Sequence, residues 1–394
     1  MVLQEGAEAF LSRTVPIATF PSPPGRSTAE VVKRAANPNG AVGILRTVSD
    51  SAALTDNACR HVPVILRELA ADALVADQME PAAGLIARHL GLPFVSIACA
   101  VPLERDERIP PPYLDWPYAN DEAGIKRNRG GETVARLLLR AQRATIRRWA
   151  EQFGHPGLQS LEDCLSPLGT IAQLPSALDF PRAPTDRPLV QVGPVRDPPS
   201  PTPLSIDIEP ERPFVFMSLG TLQGHRYSVF KAVARACSRM GAQLMVAHCG
   251  GLTPRRAERL GATWVTDFVP QREILAKADV CVTHGGQNTV LDALEAGKPM
   301  LVLPIAFDQP GLAARIVHHG VGIKLSPRFL SVERVGTALE TLLQDPSYAE
   351  RSRTIRDAIA SSGGIAAAVE TVERLLTAVE RDETAMISAK NASG

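Results

Sequence analysis

Short, unbroken apolar runs alternate with longer helical patterns through most of the 394 residues. In the first half, VPVILREL leads to ALVAD and AAGLIARHL leads to PFVSIACA. In the second, FVFMSLG, a helical stretch, QLMVAHC, TWVTDF, DVCVTH, another helical stretch and MLVLPI follow in order. A strand covered on both faces shows no polar side, so it reads as a continuous apolar run rather than as an alternation. Helices that carry the chain back across a sheet make neighbouring strands parallel. The fold class is therefore α/β.

A chain of this length fits two domains of ordinary size. The stretch GPVRDPPSPTPLSIDIEPERP, Gly193 to Pro213, holds too many prolines for a helix or a central strand to pass through it. Residues 1–193 then form a first domain, 194–213 a linker and 214–380 a second domain that includes the terminal helices. Residues 381–394, ending in ETAMISAKNASG, read as a loose tail. Lys+Arg and Asp+Glu are equal at 42 each, so no overall field points to nucleic acid or to an acidic polymer. The six cysteines stand without C-x-x-C or zinc spacing and read as buried, reduced thiols of a cytoplasmic protein. No apolar run reaches the roughly 18 residues of a spanning helix, and MVLQEGAEAFLSR lacks the build of a signal peptide.

Chemistry concentrates in THGGQNTVLDALEAGKPMLVLPIAFDQP, Thr283 to Pro310. DVCVT reads as a strand, Gly285 and Gly286 as a tight turn, and Asn288 or Thr289 as the leader of the helix VLDALEAG. A helix start offers free N–H groups and partial positive charge, which suit a phosphate, and His284 and Thr289 add side-chain donors. FVFMSLGTLQGH places Ser218, Gly220 and Thr221 in a second small, polar turn. Two such turns at the carboxyl ends of parallel strands converge where open α/β sheets bind ligands. Asp308 and Gln309 follow the buried strand MLVLPI at the same edge, a carboxylate beside an amide that suits sugar hydroxyls. A hydride-transferring dinucleotide enzyme is disfavoured, because no G-x-G-x-x-G follows a strand with an acidic residue about 20 positions later.

From FVPQREIL through THGGQNTVLDALEAGKPMLVLP to DQPG, the second half resembles the nucleotide-sugar signature of GT-B UDP-glycosyltransferases. That resemblance implies two Rossmann-like, doubly wound domains facing a central cleft. It places Phe268 against uracil, with Gln271 at the edge of the base pocket, and Asp292 on the ribose hydroxyls in place of the plant pattern's Glu. His284, Gly286, Asn288 and Thr289 fall at the diphosphate, opposite Ser218 and Thr221, while Asp308 and Gln309 hold the sugar. Gln287 stands where the plant pattern has Trp. No D-x-D triplet occurs, and the resemblance implies a site without metal or other cofactor. A narrower resemblance runs through ADQMEP, LGLPFVSIACAVPL, LSPLGTIAQLPSALDFPR, SLGTLQGHRY, AHCGG and PIAFDQPGLAARIVHHG. These segments are similar to the zeaxanthin glucosyltransferases of carotenoid-producing bacteria, which move glucose from UDP-glucose to a carotenoid's terminal ring hydroxyls.

The family's inverting transfer uses a His in the loop after the first strand, oriented by an Asp in a V-x-D pattern. Asp77 in ALVADQ matches the Asp, whereas the first histidine of this chain is His61. The first domain is thus expected to lack its first βα unit, on the order of 35 residues, and with it a central strand of the sheet. A general base contributes about 100 to 10,000-fold in rate, so the alternative is a nucleotide-sugar binder of little activity. Another alternative keeps the donor site and takes a macrolide or other lipophilic alcohol. For the acceptor side, the proline-broken RIPPPYLDWPYAN offers Tyr113, Trp116 and Tyr118. In VARLLLRAQRATIRRWAEQF, Arg136, Arg140, Arg143 and Arg147 fall on one face of a single expected helix, a candidate for peripheral contact with a membrane.

Overall fold

The computed structural model describes residues 1–11, 15–38, 40–185, 187–197 and 206–392; residues 198–205 of the expected linker lie outside that description. Its strands are β1 (Val2–Gln4), β2 (Ala18–Phe20), β3 (Leu74–Asp77), β4 (Phe94–Ala98), β5 (Thr170–Ala172), β6 (Leu189–Gln191), β7 (Phe214–Ser218), β8 (Gln243–Ala247), β9 (Trp264–Thr266), β10 (Val280–Thr283), β11 (Met300–Val302) and β12 (Gly322–Lys324). The second half builds a parallel sheet of order β12-β11-β10-β7-β8-β9. This is the doubly wound order, in which the chain grows outward in both directions from a central pair. Side chains of a strand alternate between faces. Phe214 and Phe216 therefore join one cluster with Val290, Leu294 and Ile316, while Val215 and Met217 join the opposite one with Phe230, Val233 and Leu339. With helices on both faces, every residue of β7 is buried, which is why FVFMS carries no polar alternation.

The first half holds two separate parallel sheets, β1-β2 and β3-β4-β5-β6. Among the described residues, β1 pairs only with β2 and β3 only with β4. Val2 and Leu74 nonetheless pack on the same cluster, around Leu85, Ile86 and Ile146. The two sheets of the first half thus share one core.

Four expectations change. The helix Gly364–Ala392 runs through the segment read as a loose tail; ETAMISAKNA holds no glycine or proline to stop it. That helix was grouped with the second domain, but its Ala368, Val372 and Leu375 pack over Val95, Ile171 and Val190 of the first-half sheet. The arginine segment is two helices, Glu122–Leu138 and Arg140–Gln152, separated at Leu139. Arg136 lies on one and Arg140, Arg143 and Arg147 on the other, and Arg143 is half-buried, so the four do not form a single exposed face. Of the cysteines, Cys59, Cys164, Cys237 and Cys281 are buried as expected, while Cys249 is half-buried and Cys99 exposed.

The two halves interlock. Val101, Leu174 and Leu178 of the first half sit inside the cluster that covers β7, β10 and β11. Arg315, 0% exposed, donates through Nε to Asp179 Oδ1 at 2.7 Å, and Arg182 Nε donates to Asp179 Oδ2 at 2.7 Å. His319 Nε2 donates to the Asp179 carbonyl at 2.8 Å. Burial raises the Asp179 carboxyl, but Arg315 and Arg182 outweigh it and hold it below the usual carboxylate range. Removing one partner of such a pair strands the other charge in the interior, at about 3–5 kcal/mol. Asp179→Ala is therefore expected to lower the thermal unfolding temperature sharply at pH 7. The pair's contribution is complete above about pH 4, the ordinary Asp value, and is lost as pH falls through the lowered folded value. Melting curves from pH 7 to pH 3 should converge for the two proteins; a constant gap would contradict the pairing.

Candidate active site

The strand order reverses between β7 and β10, and in open α/β sheets ligands bind beyond the carboxyl ends of such a pair. Both strand ends turn on glycine. After β7 the backbone passes through Gly220 at φ +69°, and after β10 through Gly285 at φ +85°. The imidazole of His284 fills the space between the turns. A Cβ on Gly220 would stand 2.7 Å from its Cε1, and one on Gly286 would stand 2.5 Å away. Neither position tolerates a side chain without displacing the ring. Burial lowers the His284 pKa to about 4, so the ring is neutral near pH 7, and its buried Nδ1 has no hydrogen-bond partner.

Beyond the ring begins the helix Gln287–Glu295, with Gly286 as N-cap and no side-chain cap. Its first N–H groups are left for an anion. The expectation that Asn288 or Thr289 leads this helix is corrected: the helix already begins at Gln287, making them its second and third residues. Asn288 is exposed and Thr289 buried. Across the crevice Ser218 is buried, its Oγ accepting the Gly220 N–H at 3.3 Å, and Thr221 is exposed.

Further along the same helix, Asp292 is buried and engaged on both oxygens. Gln271 Nε2 donates to Oδ2, and Arg196 Nη2 lies 2.6 Å from Oδ1. Arg196 also meets Glu295, and Arg272 stands 3.9 Å from Asp292 and 3.6 Å from Glu295. Burial pushes the Asp292 carboxyl up, and Arg196 opposes it. Phe268, 68% exposed, presents an open aromatic face at this end of the crevice. Sequence reasoning missed Arg196, a lone arginine in a proline-rich stretch, because only the fold brings it to the helix.

Asp308 and Gln309 differ in what they have free. Gln309 is buried, and its Oε1 accepts the N–H groups of Ile305 at 2.8 Å and Ala306 at 2.9 Å, closing the turn after β11. Phe307 within that turn holds φ +58°, a conformation that side chains disfavour and surrounding structure must impose. Asp308 Oδ2 accepts the N–H of Val101 from the first half at 3.2 Å. Gly311 donates to the Pro112 carbonyl at 2.9 Å, an approach so close that a Cβ there would stand 2.4 Å from that oxygen.

On the acceptor side the structure keeps the three aromatics apart. Trp116 lies against Gly131 with the Arg127 guanidinium over its ring, and Tyr118 packs on Phe180 and His318. Tyr113 is half-buried, and burial raises its phenol. A cavity of about 210 Å³ lined by Glu104, Arg105, Arg182 and Arg187 includes none of them. Asp77 ends β3, and its Oδ1 accepts the Met79 N–H at 2.7 Å. No histidine among the described residues is hydrogen-bonded to it.

A doubly wound half with a glycine-walled anion crevice, locked against a second parallel sheet, defines the architecture of a GT-B glycosyltransferase. Residues 176–357 match the family model for UDP-glucoronosyl and UDP-glucosyl transferase. The chain is 42% identical over 341 residues to zeaxanthin glucosyltransferase of Pseudescherichia vulneris, spanning 86% of this chain and 82% of that protein. It is 39% identical over 365 residues to the enzyme of the same name from Pantoea ananas, spanning 91% and 84%. Among solved structures, the glycotransferase of kitacinnamycin superposes with a TM-score of 0.72 at 18% identity, over 95% of this chain and 98% of that one. The calicheamicin glycosyltransferase CalG4 superposes at 0.64. The chain belongs to the UDP-glycosyltransferase family and is an enzyme of that class.

Histidine-selective NMR tests the glycine sandwich. The His284 ring should remain neutral at pH 6 and titrate near 4. Its contribution to stability should be full above about pH 6.5, where the unfolded ring is also neutral, and decline as pH falls toward 4. Titration near 6.5 would place the ring in water instead.

Proposed function

We propose that the chain transfers glucose from UDP-glucose to a ring hydroxyl of zeaxanthin or a similar carotenoid, with inversion and without a metal ion. The observation that carries this reading is the pair of relatives named zeaxanthin glucosyltransferase, matched over more than four-fifths of their length. The geometry supports the donor half. Phe268 offers a stacking face for uracil with Gln271 beside it, Asp292 would take the ribose hydroxyls by exchanging part of its contact with Gln271 or Arg196, and the uncapped Gln287–Glu295 helix would face the diphosphate. His284, Gly286, Asn288 and Thr289 line that position opposite Ser218 and Thr221, and Asp308 and Gln309 stand where the sugar would lie.

Charge that develops on the departing diphosphate would be met by the helix N-terminus and fixed donors. A neutral His284 contributes a hydrogen-bonding ring rather than a cation. Asp77 would orient the base that takes the acceptor's proton. Tyr113, Trp116 and Tyr118 remain the residues proposed to contact the carotenoid.

A carotenoid resides in a bilayer, and no described helix is long and apolar enough to cross one. Val134 and Leu137 are 58% and 64% exposed beside Arg136, and Arg140 and Arg147 are exposed on the next helix. Apolar side chains next to arginines suit peripheral contact with an anionic surface. Co-sedimentation with phosphatidylglycerol vesicles should fall when Arg136, Arg140 and Arg147 are all changed to Ala; equal binding would remove this surface from the proposal.

The deciding assay is glucose transfer from UDP-glucose to zeaxanthin in detergent micelles, with and without EDTA, for this chain and for one extended upstream. Product with zeaxanthin and none with a macrolide, unaffected by EDTA, is the expected result. UDP binding without transfer by either chain would favour a nucleotide-sugar binder. Asp308→Ala should keep UDP affinity and lose at least about tenfold in transfer, the scale of one charged hydrogen bond; unchanged transfer would remove Asp308 from the site.

A further inference from the structure

Gln78 follows Asp77 directly at the end of β3 and is 2% exposed. Its amide is engaged at both atoms. Nε2 donates to the Val101 carbonyl at 3.0 Å, and Oε1 accepts the Leu103 N–H at 3.2 Å. The two anchors bracket Pro102, whose ring already fixes one dihedral, so the path of the backbone from 101 to 103 is set. The N–H of Val101 then leaves the first half and meets Asp308 Oδ2. Val101's side chain is buried in the second half's cluster, so this loop belongs to both halves.

We propose that Gln78 is a positioning residue for the donor sugar, holding the Val101 N–H on Asp308 so that the carboxylate's other oxygen is presented to a sugar hydroxyl. The inference rests on the proposed role of Asp308. A buried amide is costly unless both of its ends are bonded. An apolar side chain would fill the same volume without that requirement, so what the glutamine adds is the fixed orientation of the loop. Through it, the strand end that carries Asp77 is tied to the carboxylate on the opposite wall in two hydrogen-bonded steps.

Calorimetric titration with UDP and with UDP-glucose tests this on the full chain. On the donor-site reading UDP would contact the second half, whereas the extra affinity of UDP-glucose would depend on the sugar contacts. Gln78→Met should leave UDP affinity unchanged and reduce the ratio of UDP-glucose to UDP affinity by roughly tenfold, the scale of one hydrogen bond to a charged group. Combined with Asp308→Ala it should cost nothing beyond Asp308→Ala alone, as for residues acting through one contact. If Gln78→Met does not fold, Gln78→Asn decides, since it keeps both amide groups but stands one methylene short of Val101 and Leu103 and should lower the same ratio. A wild-type ratio in the folded variant, or an equal loss for both ligands, overturns the proposal. Failure of the wild-type chain to bind UDP at all would instead sink the donor-site reading, and this inference with it.

Discussion

The ion pair between Asp179 and Arg315 fixes how the two halves meet. Arg315 lies on the helix Gln309–His318, whose first turn carries Gln309 and Gly311 and whose N-cap is Asp308. Its guanidinium is fully buried, lies 4.6 Å from the centroid of Phe180, and also donates to the Gly311 carbonyl at 3.0 Å. A buried pair is poor evidence for net stability, because desolvation offsets much of the attraction. It is strong evidence for register, since the two buried charges come from different halves and meet at 2.7 Å only in one alignment of them. The helix pinned in this way delivers Asp308 to the Val101 N–H and Gly311 to the Pro112 carbonyl. A shift of one residue would break all three contacts together.

The crevice that this register closes offers uncapped helix N–H groups and no charged histidine near pH 7. Burial keeps the His284 ring neutral between two glycines, and the helix behind it begins without a side-chain cap. Cations stand instead further along that helix, where Arg196 and Arg272 face Asp292 and Glu295. The field across the crevice therefore runs from backbone dipoles at one end to a balanced ion cluster at the other. An anion placed at the helix start gains from oriented N–H groups that need no reorganisation.

The second half was legible because its constraints are local in sequence. Continuous apolar runs marked the parallel strands, and Gly285 and Gly286 marked a turn that a side chain cannot enter. Ser218 and His284 sit at strand ends, where the topology alone brings them together, while Asp292 lies on the helix after β10 and Asp308 in the turn after β11. What escaped the sequence depends on contacts between distant segments. Arg196 lies 96 positions from Asp292, and nothing in a proline-rich stretch marks it as the partner of a buried acid. The expected arginine face failed for a different reason: Leu139 fits a helical pattern on both sides, so the period could not show that the axis breaks there. The terminal helix was misplaced because its apolar stripe shows that it packs, and not on which sheet.

The first half carries its most informative feature at an edge. Strands of a parallel sheet usually have both faces covered, and ALVAD has the continuous apolar character of such a strand. Yet Val75 is 58% exposed, and β3 has a ladder partner on one side only among the described residues. An open apolar edge of this kind is a liability that proteins normally cover. The partnered side of β3 is already committed, because β4 leads into the loop that Gln78 pins and that Asp308 engages. Leu74 of β3 shares its core with Val2 of β1, so the two open sheets of the first half rest on one set of apolar contacts and the edge between them is set by that core rather than by a ladder.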